Sequence, residues 1–219
     1  MGTLNSMQDG IEYLTWTFLF RRILKNPTYY QLEDVEAKTV NKYLRDLLRT
    51  VLWDLNDSGC LEFNDENQNT FESTVCGQIA SYYYMSYKTM AIFKQSLAAD
   101  NTINELIRIL SSTTEYDELP VRHNEDKLNF ELSKQVPFSV SDLAMDEPST
   151  KAILLFQAHF SRLQLPITDY VTDLRSVLDQ SIRILQAMID YTSSAEHLWL
   201  QTTLKLVNLI QMITQGVKC

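Results

Sequence analysis

From Val75 onward the apolar residues of this chain recur at helical spacing, so the larger part of it must bury its hydrophobic surface as packed helices. Strand-like alternation is confined to an earlier stretch. Residues 60–63 alternate, the polar run 64–69 turns, and 70–74 can return as a second short strand. Two helices are expected ahead of that hairpin. The first covers 13–24, with Leu14, Phe18 and Leu19 at helical spacing beside Tyr13, Trp16 and Phe20, and Pro27 marks a break after it. The second covers 37–55, with Val40, Leu44, Leu47, Leu48, Val51, Leu52 and Leu55 on its apolar side.

Helices followed by a two-stranded wing predict a winged-helix subdomain over residues 1–75. A wing suits DNA, but Asp54, Asp57, Glu62, Asp65, Glu66 and Glu72 would face phosphates with the wrong sign, which favours packing and docking over groove reading. The next segment, 77–87, concentrates Tyr82, Tyr83, Tyr84 and Tyr87 behind Gly77. The glycine supplies a turn, and the rings combine large area with hydroxyls that need partners. It reads as a junction between subdomains or, more blandly, as an aromatic core helix. One helix is expected from Gly77 to about Leu97. Thr102 and Glu105 then stand at capping-box spacing, and Asn124 can cap a helix whose first turn holds Glu125 and Asp126. A polar linker at 139–148 precedes an apolar helix over 149–165 that Pro166 stops. Helices at about 169–192 and 198–215 complete a mostly α fold: a winged helix, a helical bundle over 76–166 and a terminal helix pair over 167–219.

With 219 residues and 45% hydrophobic content the chain can bury a sizeable core, and no apolar run approaches the roughly 20 residues that cross a bilayer. Residues 1–10 carry neither a basic start nor an apolar core, so no secretory signal is read there and an intracellular location is expected. Cys60, Cys76 and Cys219 are odd in number and widely spaced, as suits reduced thiols, and none of His123, His159 and His197 is near a cysteine, so no metal site is expected. A net charge of -9 argues against a freestanding nucleic-acid binder, whose affinity needs clustered cations. Walker loops, nucleophile elbows and paired-histidine metalloprotease motifs are missing from the sequence, so no catalytic residue is assigned.

Two constellations remain. On the 169–192 helix, Leu174, Val177, Leu178, Ile182, Leu185, Met188 and Ile189 gather on one side, and Ser176, Gln180, Arg183 and Ala187 on the other. That second stripe is small or uncharged apart from one arginine. A solvated face is ordinarily richer in Lys and Glu, so the stripe either lines a channel for a polynucleotide or is covered by another element. The second constellation, Arg122, His123 and Asn124 ahead of Glu125 and Asp126, is either a contact loop or a helix cap with its arginine in an ion pair.

Five segments carry a resemblance that covers nearly the whole chain. They lie at 13–30, 77–84, 115–126, 154–162 and 177–188, and include Gly77-Gln78-Ile79-Ala80-Ser81-Tyr82-Tyr83-Tyr84 and Leu119-Pro120-Val121-Arg122-His123-Asn124-Glu125-Asp126. In that order they resemble the Sec63-like domain that follows a helicase cassette in large Ski2-like DExH helicases, and the Leu119 to Asp126 wording narrows the resemblance to one branch. The resemblance implies a winged helix, a bundle whose ratchet helix crosses the nucleic-acid tunnel at about 169–192, and a following helix-loop-helix. It also implies that neighbouring motor domains bind ATP, that this chain needs no cofactor of its own, and that its partners are those motors, single-stranded RNA or DNA and other subunits of a complex. The expected location is nuclear, cytoplasmic or both. The family usually continues past Gly216 into an immunoglobulin-like domain, so the chain is expected to be a piece of a longer helicase.

Overall fold

The computed structural model describes residues 4–64, 67–140 and 143–217. Its Cα positions divide into two compact units, Met1–Gln78 and Ile79–Cys219. The wing acids Asp65 and Glu66, part of the 139–148 linker and Cys219 lie outside the described residues.

In the first unit, α1 (Met7–Thr15) and α2 (Phe18–Lys25) pack with α3 (Ala37–Asp57) ahead of an antiparallel hairpin. The helix expected over 13–24 is thus two helices, broken at Trp16 and Thr17. Ser6 caps the first by accepting from the Asp9 amide, and the Thr17 hydroxyl donates back to the Leu14 carbonyl at 2.7 Å as the second begins. Tyr13, Trp16 and Phe18 are exposed rather than buried, so the covered side of these helices is Ile11 and Ile23 with half-buried Leu14, Leu19 and Phe20. Helix α3 begins where expected and extends to Asp57. Val40, Leu44 and Leu52 are its buried positions, whereas Val51 is exposed.

Strands β1 (Leu61–Phe63) and β2 (Phe71–Ser73) pair with Leu61 opposite Ser73 and Phe63 opposite Phe71. The chain start adds a third edge, since the Met7 amide donates to the Asn69 carbonyl at 2.7 Å and the Phe71 amide to the Asn5 carbonyl at 3.0 Å. Gly77 does not turn the chain. It sits inside α4 (Val75–Tyr83), where an added Cβ would lie 2.0 Å from the Cys60 carbonyl oxygen, so only glycine permits this approach of helix to strand end.

In the second unit, the long helix expected from Gly77 to Leu97 is interrupted at residues 84–86. Tyr84 adopts a left-handed conformation with φ 52°, and Ser86 caps a new helix, α5 (Tyr87–Ser96), by accepting from the Lys88 amide. Helix α6 (Ile103–Ser111) opens with the complete Thr102–Glu105 capping box. Asn124 stands at the start of α7 (Glu125–Ser133) with φ 66° but makes no side-chain capping bond. Pro148 is not linker but the first residue of α8 (Pro148–Phe160), which ends five residues before the expected stop. Arg162 turns left-handed there, and the Leu163 amide closes onto the Ala158 carbonyl at 2.9 Å, so the helix is capped well before Pro166.

The central helix is α8. Residues 150–158 are all buried, which explains why it is apolar around its circumference rather than striped. Against it packs α9 (Thr168–Ser193), and α10 (Leu200–Gln215) packs against α9 and closes at Gly216 with φ 61°. No helix of the described residues is long and apolar enough to cross a membrane.

Candidate nucleic-acid interface

Helix α9 buries Tyr170, Asp173, Val177, Ser181, Ile184, Leu185, Ala187 and Met188. This face is rotated from the apolar stripe expected from sequence, since Leu174, Leu178, Ile182 and Ile189 are only partly covered. The reason is polar. Asp173 is held inside by two cations, and the Ser181 hydroxyl satisfies itself on the Leu178 carbonyl, so both occupy core positions that a hydrophobicity count assigns to solvent.

The rotation divides the four candidates of the stripe. Ser176 and Gln180 are exposed, Arg183 is half-buried, and Ala187 has no exposed surface. The last is a correction: Ala187 belongs to the core, because the C-terminal half of α9 also buries Ile184, Leu185 and Met188 around it. Arg183 is occupied as well. Its Nη1 donates to the carbonyls of Tyr83 and Tyr84, each at 3.0 Å, and its Nη2 donates to Gln180 Oε1 at 2.6 Å. These bonds satisfy carbonyls that the end of α4 leaves without helical partners.

Beside Ser176 and Gln180 lies an open groove of about 360 Å³, bordered by Glu115, Tyr116, Glu118 and Asp179. Its charged side chains are acids. Tyr116 fixes the wall by donating its hydroxyl to the Val177 carbonyl at 3.1 Å, and burial pushes its pKa up.

The Arg122 side chain makes ion pairs with the core. Arg122 Nη1 pairs with Glu125 at 3.0 Å and with Asp173 at 2.7 Å, and its backbone amide donates to Glu125 Oε2 at 2.9 Å. Lys151, wholly buried in α8, completes the cluster by donating to Glu125 and Asp173, each at 2.6 Å, and to the Pro120 carbonyl at 2.7 Å. Its ammonium also lies 4.6 Å from the centre of the Tyr170 ring. Burial drives the carboxyls of Glu125 and Asp173 up, but hydrogen bonds from Lys151 and Arg122 outweigh it, and both settle below the ordinary carboxylate range. His123 and Asn124 are exposed and take no part.

Sequence reasoning passed over two charged features. Lys151 stands directly ahead of the apolar run Ala152-Ile153-Leu154-Leu155-Phe156, whereas Asp173 carries no local mark of its burial. The other lies in the first unit. Lys38, Lys42, Arg45 and Arg49 follow the i, i+4, i+7, i+11 spacing of one helix face and border a groove of about 530 Å³ that Ile11 of α1 and one acid, Asp46, also line. Among the described residues, no group of three or more His, Cys, Asp or Glu side chains is placed to hold a metal ion.

Residues 73–218 match the family model of the Sec63 Brl domain. The chain belongs to the Sec63 Brl domain family. Ahead of the Sec63 Brl match, residues 1–65 match a winged helix-turn-helix domain, in keeping with α1 to β1. Among similar proteins are the activating signal cointegrator 1 complex subunit 3 of Gallus gallus, 48% identical over 98% of this chain, and the DExH-box ATP-dependent RNA helicase DExH14 of Arabidopsis thaliana, 49% identical over 99%. The U5 small nuclear ribonucleoprotein 200 kDa helicase of Homo sapiens is 38% identical over 98%. The cointegrator subunit stands ahead of the U5 helicase in identity, and the Leu119 to Asp126 segment points to the same cointegrator branch. In each case the chain spans 10% of the relative's length.

Proposed function

We propose that this Sec63 Brl domain is a noncatalytic accessory module of an ATP-dependent nucleic-acid helicase, with α9 as a ratchet helix that lines the path of a single strand. Motor domains bind and hydrolyse ATP, and this chain contributes a surface over which the strand slides between strokes. The observation that carries the reading is the exposed, uncharged run of Thr172, Ser176 and Gln180 along the longest helix of a chain related to helicases over nearly its whole length. Neutral hydroxyl and amide groups give weak, replaceable hydrogen bonds, which suit a thread that must move. Arg183 serves a different part: its guanidinium steadies Gln180, while the acids beside Ser176 favour contact through bases and sugars over phosphates.

The test uses the parent helicase with motors and this domain together. Gln180→Glu adds a negative charge to the path, and single-strand affinity is expected to fall about fivefold, the equivalent of about 1 kcal/mol. Unchanged affinity would rule α9 out as a contact surface. Arg183→Ala is the poorer test, because it also releases the end of α4.

A second reading, docking of a partner subunit, draws on the α1–α3 groove. Its four cations are without ion pairs among the described residues, in a chain of net charge -9. An acidic amphipathic helix fits that stripe, since it presents carboxylates at the same helical repeat and apolar side chains toward Ile11. Charge reversal in Lys42→Glu/Arg45→Glu is then expected to abolish binding of such a peptide while leaving strand affinity unaltered.

A further inference from the structure

The run of tyrosines at 82–84 is accounted for neither by the hydrogen-bonding surface of α9 nor by the core. Tyr83 alone is tied down: its hydroxyl donates to Asp190 at 2.7 Å, and burial together with that carboxylate pushes its pKa up to about 12. Tyr82 meets Tyr83 edge-on at 4.9 Å but is otherwise open. Tyr84 is 86% exposed, and it is placed in water by a backbone with φ 52°, a conformation that glycine or asparagine adopts at much less cost. A turn needing only its shape would carry glycine there, and a ring needed for packing would be covered. Here a strained backbone turns an uncovered aromatic ring toward water.

Arg183 holds the backbone of that turn. One guanidinium binds the carbonyls of Tyr83 and Tyr84 and the side-chain oxygen of Gln180, so the turn that presents Tyr84 and the exposed face of α9 are fixed to the same rigid fork. We infer that Tyr84 is a base-stacking platform for the strand that passes Gln180. The inference rests on the α9 reading and names a further contact of the same site. An aromatic face accepts any nucleobase, so the contact is indifferent to sequence, and the acidic groove nearby does not oppose it because stacking engages the uncharged part of the nucleotide. The phenolic hydroxyl is not required.

The probe is single-stranded oligouridylate bearing one 2-aminopurine, whose weakly stacking neighbours leave it bright in the free strand, titrated into the parent helicase. Stacking on Tyr84 quenches the probe. Tyr84→Phe is expected to keep both quenching and affinity, whereas Tyr84→Ala and Tyr84→Gly lose the quenching and bind about tenfold more weakly. Tyr84→Gly separates contact from folding, because glycine relieves the backbone strain and the variant is expected to melt no lower than the wild type. Affinity and quenching unchanged in Tyr84→Gly, with Gln180→Glu still weakening the complex, would overturn the stacking platform and leave the α9 reading standing. No effect from either substitution would overturn both.

Discussion

Lys151 has no exposed surface, and each of its three ammonium donors has an acceptor. Substituting it by methionine preserves the stem but leaves Glu125 and Asp173 buried with Arg122 as their remaining cationic partner, so a loss of about 3–5 kcal/mol is expected in denaturant unfolding. The pH dependence has a definite sign. Because both carboxyls lie below their ordinary values in the folded chain, their contribution is complete above about pH 5 and is lost as the pH falls through the folded values. Lys151→Met should therefore move the midpoint of acid unfolding to higher pH. Gly77→Ala is the other sharp case. Its methyl group would meet the Cys60 carbonyl, and a cost of about 1–3 kcal/mol is expected despite alanine's better helix propensity. At this scale the sequence marked the right positions and misjudged some of their reasons. The glycine looked like a turn residue, because a close approach between two segments distant in sequence leaves no local trace.

The elements were legible wherever caps and breakers lie close in sequence. The Thr102–Glu105 box, Gly216 behind α10 and the short hairpin stand where they were expected. The break between α4 and α5 was not legible, because a left-handed tyrosine is stabilised by Arg183, about a hundred residues away, rather than by its neighbours. The same distance effect rotated α9, whose buried Asp173 takes its partners from α8 and from the loop before α7. Of the α9 candidates, Ser176 and Gln180 lie open, Arg183 is engaged in a structural task and Ala187 lies in the core. Arg183→Lys puts one compact ammonium in place of a planar fork whose two nitrogens reach the Tyr83 and Tyr84 carbonyls on one side and Gln180 on the other, so it cannot span both. Amide exchange is expected to quicken around residues 83–86 in that variant, with α10 protected as before.

Across the whole molecule, one acidic chain carries localised charge of both signs: a cationic stripe on α3 and an acidic groove beside α9. Net charge therefore says little about where an anionic partner binds. On the proposed reading, neighbouring motors perform the chemistry, so the contribution of this domain should appear in coupling rather than in hydrolysis. The most direct measurement is the number of base pairs unwound per ATP hydrolysed by the parent helicase carrying Ser176→Glu and Gln180→Glu together. ATP turnover should persist while base pairs unwound per ATP fall several-fold, because the strand slips between strokes. A yield equal to that of the wild type, at equal turnover, would contradict a ratchet on α9.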